Sequence, residues 1–236
     1  MKVELLNKEE CKNFFKTWGT FACTCYNTDS EYAERVGKSC FKTGHYSGSR
    51  SFSFVFNIKG ISRACSHQLV RHSVGVTINQ KSQRYCNEDD FEYVVPPEIE
   101  KDKNILGYYE NCMKHIQLMY SGLKEQLNAK GLNGESLNQD ARYVLPNACT
   151  TELTIGFTLE ALIHFCEERL CSASQWEIRE LAKAIRKEII DILPELSEKL
   201  NPKCINLGYC TESEKRCCGI RPNKNKIKII ELEEKE

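Results

Sequence analysis

Residues 62–85, SRACSHQLVRHSVGVTINQKSQRY, hold more cationic and hydrogen-bonding side chains than a connecting loop needs. Arg71, His72, Asn79, Gln80, Ser82, Gln83, Arg84 and Tyr85 fall within fifteen residues. The planar fork of an arginine fits phosphate, while amides and hydroxyls complete the hydrogen bonds of a polar heterocycle. Two distant segments repeat the theme: Asp140-Ala141-Arg142, and ERLCSASQWEIR, where Arg169 follows His164 by five positions. If Arg84, Arg142 and Arg169 converge, they suit a ligand with a phosphate and a ring that becomes anionic. A guanidinium beside an imide or carbonyl stabilises charge developing there. Taken singly, each also reads as a surface ion pair worth about 0–1 kcal/mol. His45 and Ser47, in GHYSGSRS, read equally as turn or capping residues.

These residues need a scaffold, and the chain is long enough to supply one. Its 236 residues fit one domain, read here as 1–222 with a charged tail at 223–236. Thirty-three basic residues balance thirty-three acidic ones. A general nucleic-acid or membrane-surface binder needs a basic excess, so both classes are disfavoured. The opening MKVELLNKEECKNFF is charged, lacks the apolar core of a signal peptide and reads as helical. Fourteen cysteines without that signal point to reduced thiols and a cytoplasmic setting. Cys204, Cys210, Cys217 and Cys218 cluster near the end, but without paired C-x-x-C knuckles, so no metal site is assigned.

Helical periodicity covers 7–18, 30–40 (with Asp29 or Ser30 as cap) and 61–72. It returns over 98–130, 135–145, 159–171 and from about 174, with a break at Pro194. Alternation predicts strands at 52–58, 91–95 and 150–158. The fold class expected is α+β, a small antiparallel or mixed sheet flanked by long helices. No nucleophile triad, Walker loop, dinucleotide glycine fingerprint or HExxH motif occurs, so a cofactor would carry any difficult step. Cys65 and Cys86 have basic neighbours but stand out little among fourteen thiols.

The pieces GHYS (44–47), SRACSHQLVRH (62–72), SQRY (82–85), ARYVLPNA (141–148), RLCSASQWEIRELA (169–182) and CINLGYC (204–210) fall in one order over most of the chain. In that order and spacing the chain resembles the flavin-dependent thymidylate synthases. The resemblance implies a homotetramer with active sites where subunits meet. It also implies FAD as cofactor, dUMP as substrate, and methylenetetrahydrofolate and NADPH as co-substrates, with no protein nucleophile. By resemblance, Gln68, Arg71, Gln80, Ser82, Gln83, Arg84, Arg142 and Arg169 would hold dUMP, with Arg169 at the uracil edge in the catalytic role. His45, Ser47, Arg71, His72, Asn79, Gln80 and His164 would lie on the FAD side.

The chain departs from the family pattern at several positions. The Arg-His-Arg signature reads Arg71-His72-Ser73, and the spacing to Ser82 is one residue longer. Shortly after GHYS, a usual Glu-His is Arg50-Ser51, and a usual Asn-Ala-Arg is Thr158-Leu159-Glu160. These changes fall mainly on the flavin side. The alternatives are therefore a flavin-impaired paralogue that binds a pyrimidine nucleotide, or a variant modifying C5 of another uracil nucleotide.

Overall fold

The structure is a computed structural model that describes residues 1–227. Along the chain come β1 (Lys2–Leu5), α1 (Lys8–Lys12), α2 (Phe14–Tyr26), α3 (Ala33–Thr43), β2 (Phe54–Ser62), α4 (Arg63–Leu69) and β3 (Val76–Gln80). Then follow α5 (Pro97–Glu100), α6 (Lys103–Ala129), α7 (Gly134–Ala141), β4 (Thr150–Phe157), α8 (Leu159–Arg169), α9 (Trp176–Ile190) and α10 (Lys203–Leu207). The described residues group into two compact units, each discontinuous in sequence. One is Met1–Leu6 with Val55–Gly156; the other is Asn7–Phe54 with the chain from Phe157 onward.

The first unit is built on an antiparallel sheet of order β1-β2-β4-β3. Lys2 pairs with Lys59 and Leu5 with Phe56. Phe56 and Ile58 of β2 and Leu153 and Ile155 of β4 are buried, as period-two alternation requires of a half-covered sheet. Ser62 ends β2 and caps α4, its Oγ accepting from the Cys65 N–H at 2.9 Å. Asp102 caps α6 in the same way, accepting from Asn104 and Ile105.

Several expectations need correction. The N-terminus starts as strand β1, and β2 begins two residues late and displaces the first residues expected in α4. β3 was hidden in the polar loop, where Val76 and Ile78 alternate with exposed Thr77 and Asn79 on an edge strand. Residues 91–95 are no strand, making only an isolated bridge between Tyr93 and Cys149. Side chains of α6 compete for this segment. Gln117 Oε1 accepts from the Phe91 N–H, and the Tyr109 hydroxyl donates to the Val94 carbonyl at 2.8 Å. Phe91 is then buried against Met113 and Cys149.

The second unit is a helical layer packed around aromatics. α2 and α3 approach so closely that a Cβ at Gly19 would lie 1.6 Å from the Ala33 carbonyl oxygen, and one at Gly37 2.0 Å from that of Phe15. Phe14 gathers Trp18, Phe52 and Phe54 at centroid distances of 5.7, 5.3 and 5.0 Å. α9 buries Ile178, Leu181, Ala182, Ile185 and Ile189, the stripe of an amphipathic helix. The charged tail begins at Asn223, which is anchored: it is buried, bridges to Cys210 and donates its Nδ2 to the Glu212 carbonyl at 2.7 Å. Residues 228–236 of that tail lie outside the described residues.

Candidate functional site

In the sheet unit, Gln68, Arg71, His72, Asn79, Gln80, Ser82, Gln83, Arg84 and Arg142 come from three neighbouring stretches. The end of α4 supplies Gln68, and the turn after it supplies an exposed Arg71 and a half-buried His72. Arg71 has no hydrogen-bond or ion-pair partner among the described residues, so its fork is available. β3 then delivers Asn79 to solvent and turns Gln80 inward. Gln80 Nε2 donates to Ser66 Oγ at 3.0 Å and Thr151 Oγ1 at 3.1 Å, locking α4 to β4.

Beyond β3 the loop is held from several sides. Ser82 Oγ accepts from the Arg84 N–H, and the Ser82 carbonyl from that of Cys86. Gln83 Nε2 reaches Cys149 Sγ at 3.6 Å. From α7, Asn138 Nδ2 donates to the Arg84 carbonyl, and Glu135 pairs with the Arg84 guanidinium at 3.2 Å. Arg142 follows α7 directly and donates Nε to the Gln139 carbonyl. The same helix therefore positions both Arg84 and Arg142. Burial, and then the charge of Glu88, push the Cys149 thiol up to about 11, so it stays protonated at neutral pH. Cys65 is fully buried within α4, which makes it packing rather than a nucleophile.

His45, Ser47, His164 and Arg169 belong to the helical unit. His45 and Ser47 line a cavity of about 440 Å³ together with Trp18, Phe21, Cys25 and Tyr26. Trp18 is fully buried, yet its Nε1 has no hydrogen-bond partner among the described residues. A second cavity of about 570 Å³ shares Tyr26 and Cys40 and adds Arg35. Apolar rings with a few polar groups and a nearby cation fit a flat ring bearing a phosphate arm. The residues present therefore suit a flavin nucleotide. Trp18 was not singled out from sequence, because a tryptophan in a helix normally signals core.

The three altered positions at the start of α8 each have a local task. Thr158 caps α8, its Oγ1 accepting from the Ala161 N–H, and Leu159 is fully buried. Glu160 receives Arg50 in a two-pronged pair, Nε to Oε2 at 2.6 Å and Nη2 to Oε1 at 3.1 Å. The Arg50 hydrogen bond holds the Glu160 carboxyl below its usual range. Glu160 is thus charge-balanced by Arg50. Arg169 ends α8, half-buried, where a cation also complements the helix dipole. His164 is exposed, roughly 140° around the helix from Arg169.

The α+β scaffold thus carries a cation-bearing polar loop in one unit and an aromatic cavity in the other. The comparisons name the family. Residues 7–195 match the family described as thymidylate synthase complementing protein. The chain is 40% identical over 184 residues to a flavin-dependent thymidylate synthase of Nitratidesulfovibrio vulgaris, covering 78% of this chain and 75% of that one. It is 37% identical over 182 residues to one of Clostridium tetani (74% and 72%), and 35% over 214 residues to one of Pyrococcus abyssi (84% of each). The chain belongs to the flavin-dependent thymidylate synthase family.

Proposed function

We propose that the protein makes dTMP from dUMP, with FAD as its cofactor and methylenetetrahydrofolate and NADPH as co-substrates. The carrying observation is the exposed, unpartnered Arg71 beside a polar loop already fixed by backbone, α7 and β4 contacts. Arg71 and Arg84 take the phosphate, and Ser82 and Gln83 orient it. Arg142 adds a second cation, and Gln68 a hydrogen-bonding amide. Arg169 faces the uracil edge and favours its ionised form. FAD, when bound, would supply the redox chemistry, a hydride for the uracil, so that no protein nucleophile would be required. On the flavin side, His45 and Ser47 line the ring cavity, Gln80 braces the loop, and His72, Asn79 and His164 add polar contacts.

A homotetramer with active sites at subunit interfaces is favoured by α6, which leaves Tyr108, Leu118 and Met119 exposed at 73%, 71% and 62%. We treat 1–222 as one functional domain and place the protein in the cytoplasm, where its fourteen cysteines, all free among the described residues, stay reduced. Among the described residues no helix is long and apolar enough to cross a membrane.

A flavin-impaired nucleotide binder is the second reading, favoured by the engagement of Arg50 with Glu160 and by an exposed Ser73 in place of a cation. Incubation with dUMP, methylenetetrahydrofolate and NADPH separates them. FAD-dependent dTMP formation with matching NADPH loss supports synthesis. Binding of dUMP without flavin uptake or dTMP establishes the second reading instead.

A further inference from the structure

Glu88 is the one buried acid among the described residues of the sheet unit, at 5% exposure. Nothing in the reaction uses it. Burying a carboxylate is strongly unfavourable unless it is paired and hydrogen-bonded. Its partner is Lys81, whose Nζ lies 3.0 Å from Oε1 and 3.2 Å from Oε2. Lys81 and Glu88 stand at the two ends of the loop that contains Ser82, Gln83 and Arg84.

We infer that the Lys81–Glu88 pair is a clasp that positions the nucleotide-binding loop, making Lys81 and Glu88 positioning residues for the dUMP site. The inference rests on the proposed nucleotide reading of that loop. Each end of the clasp is tied to a different part of the scaffold. The Lys81 N–H donates to the Glu152 carbonyl of β4 at 2.8 Å, extending the pairing past β3. The Glu88 carbonyl accepts from Gln117 of α6, and Lys124 of α6 binds the flanking Asn87 and Asp89. The residues between have no helix or strand of their own, so closing the loop at its base restricts where Ser82, Gln83 and Arg84 point. Glu88 is buried while the Lys81 side chain stays 38% exposed, so the pair anchors the loop's base at one fixed carboxylate and adds little net stability over an apolar replacement.

Two variants separate positioning from folding, read by dUMP calorimetry, flavin absorbance and thermal melting of the full-length holoprotein. Glu88→Gln keeps the shape, removes the charge and leaves Lys81 unpaired. We expect its Kd for dUMP to rise at least tenfold while flavin is retained at the wild-type stoichiometry. The double replacement Lys81→Met with Glu88→Leu removes both charges. It should melt at or above Glu88→Gln yet bind dUMP as weakly. Wild-type dUMP affinity in Glu88→Gln overturns the clasp. So does a double variant that regains both melting temperature and affinity, since the loss then lies in folding alone. If wild-type protein itself binds no dUMP, the nucleotide reading falls first and takes the clasp with it.

Discussion

In the sheet unit the loop is braced from behind by Lys81–Glu88, Gln83–Cys149 and Asn138, while Arg71 remains unpartnered at the surface. In the helical unit the exposed cation Arg50 is already matched by Glu160. The first region keeps a cation ready for a ligand; the second has closed a charge pair around itself. A site tolerates a change of charge sign when both members of a pair change together. In this chain Arg50 and Glu160, two positions where the sequence departs from the pattern the resemblance leads one to expect, pair with each other. In the sheet unit Ser73, exposed beside His72, stands where the resemblance leads one to expect a further cation. The two regions should therefore respond differently to mutation.

The largest effect should come from the packing beneath the aromatic cavity. Gly19→Val forces a side chain into the Ala33 carbonyl, and overpacking of this kind costs about 3 kcal/mol. Thermal melting should fall by many degrees and flavin uptake should fail; an unchanged melt contradicts the close helix approach.

Next come the two arginines proposed to hold the nucleotide. If they do so, Arg71→Ala and Arg169→Ala each remove a charge-assisted hydrogen bond of about 1.5–3 kcal/mol, and calorimetry should show dUMP affinity reduced roughly 10- to 100-fold. Equal affinity in either variant removes that residue from the nucleotide site.

The Arg50–Glu160 pair gives a smaller effect. Glu160→Arg alone places two cations together and should lower stability, whereas Arg50→Glu with Glu160→Arg should restore it. Because Arg50 depresses the Glu160 carboxyl, the pair's contribution is present above the ordinary glutamate range and lost as pH falls through the depressed one. Melting curves of wild type and Glu160→Gln should converge toward acid pH, and parallel curves contradict the pairing. Least of all, Glu135→Gln frees Arg84 from an exposed partner. Such pairs are worth about 0–1 kcal/mol, so dUMP binding should tighten by no more than about fivefold. Weaker binding would show that Glu135 supports the loop rather than competing with the ligand.

Much of this division was readable from residue order. The strand at 150–157, α8, the long α6 and the polar loop all follow from periodicity and caps. The segment 91–95 misled because its alternation is real, but its backbone bonds are shared between residues 148–150 and α6 side chains, leaving a single bridge rather than a ladder. β3 was masked by the polar residues of an edge strand. Glu88 sits in NEDD, which reads as a solvated acidic turn; only tertiary packing distinguishes the one buried carboxylate from its exposed neighbours. The Arg50–Glu160 pair joins residues 110 apart, a separation at which local spacing carries no signal.

The central claim is that the nucleotide side is ready and the flavin side rewired but competent. A single titration addresses it: purified protein is loaded with FAD, followed by flavin absorbance, and dUMP is then added in a calorimeter. The account predicts a yellow protein that holds flavin and binds dUMP with an affinity lowered by Arg71→Ala. A colourless protein that takes up no FAD, or a flavoprotein indifferent to dUMP, contradicts it.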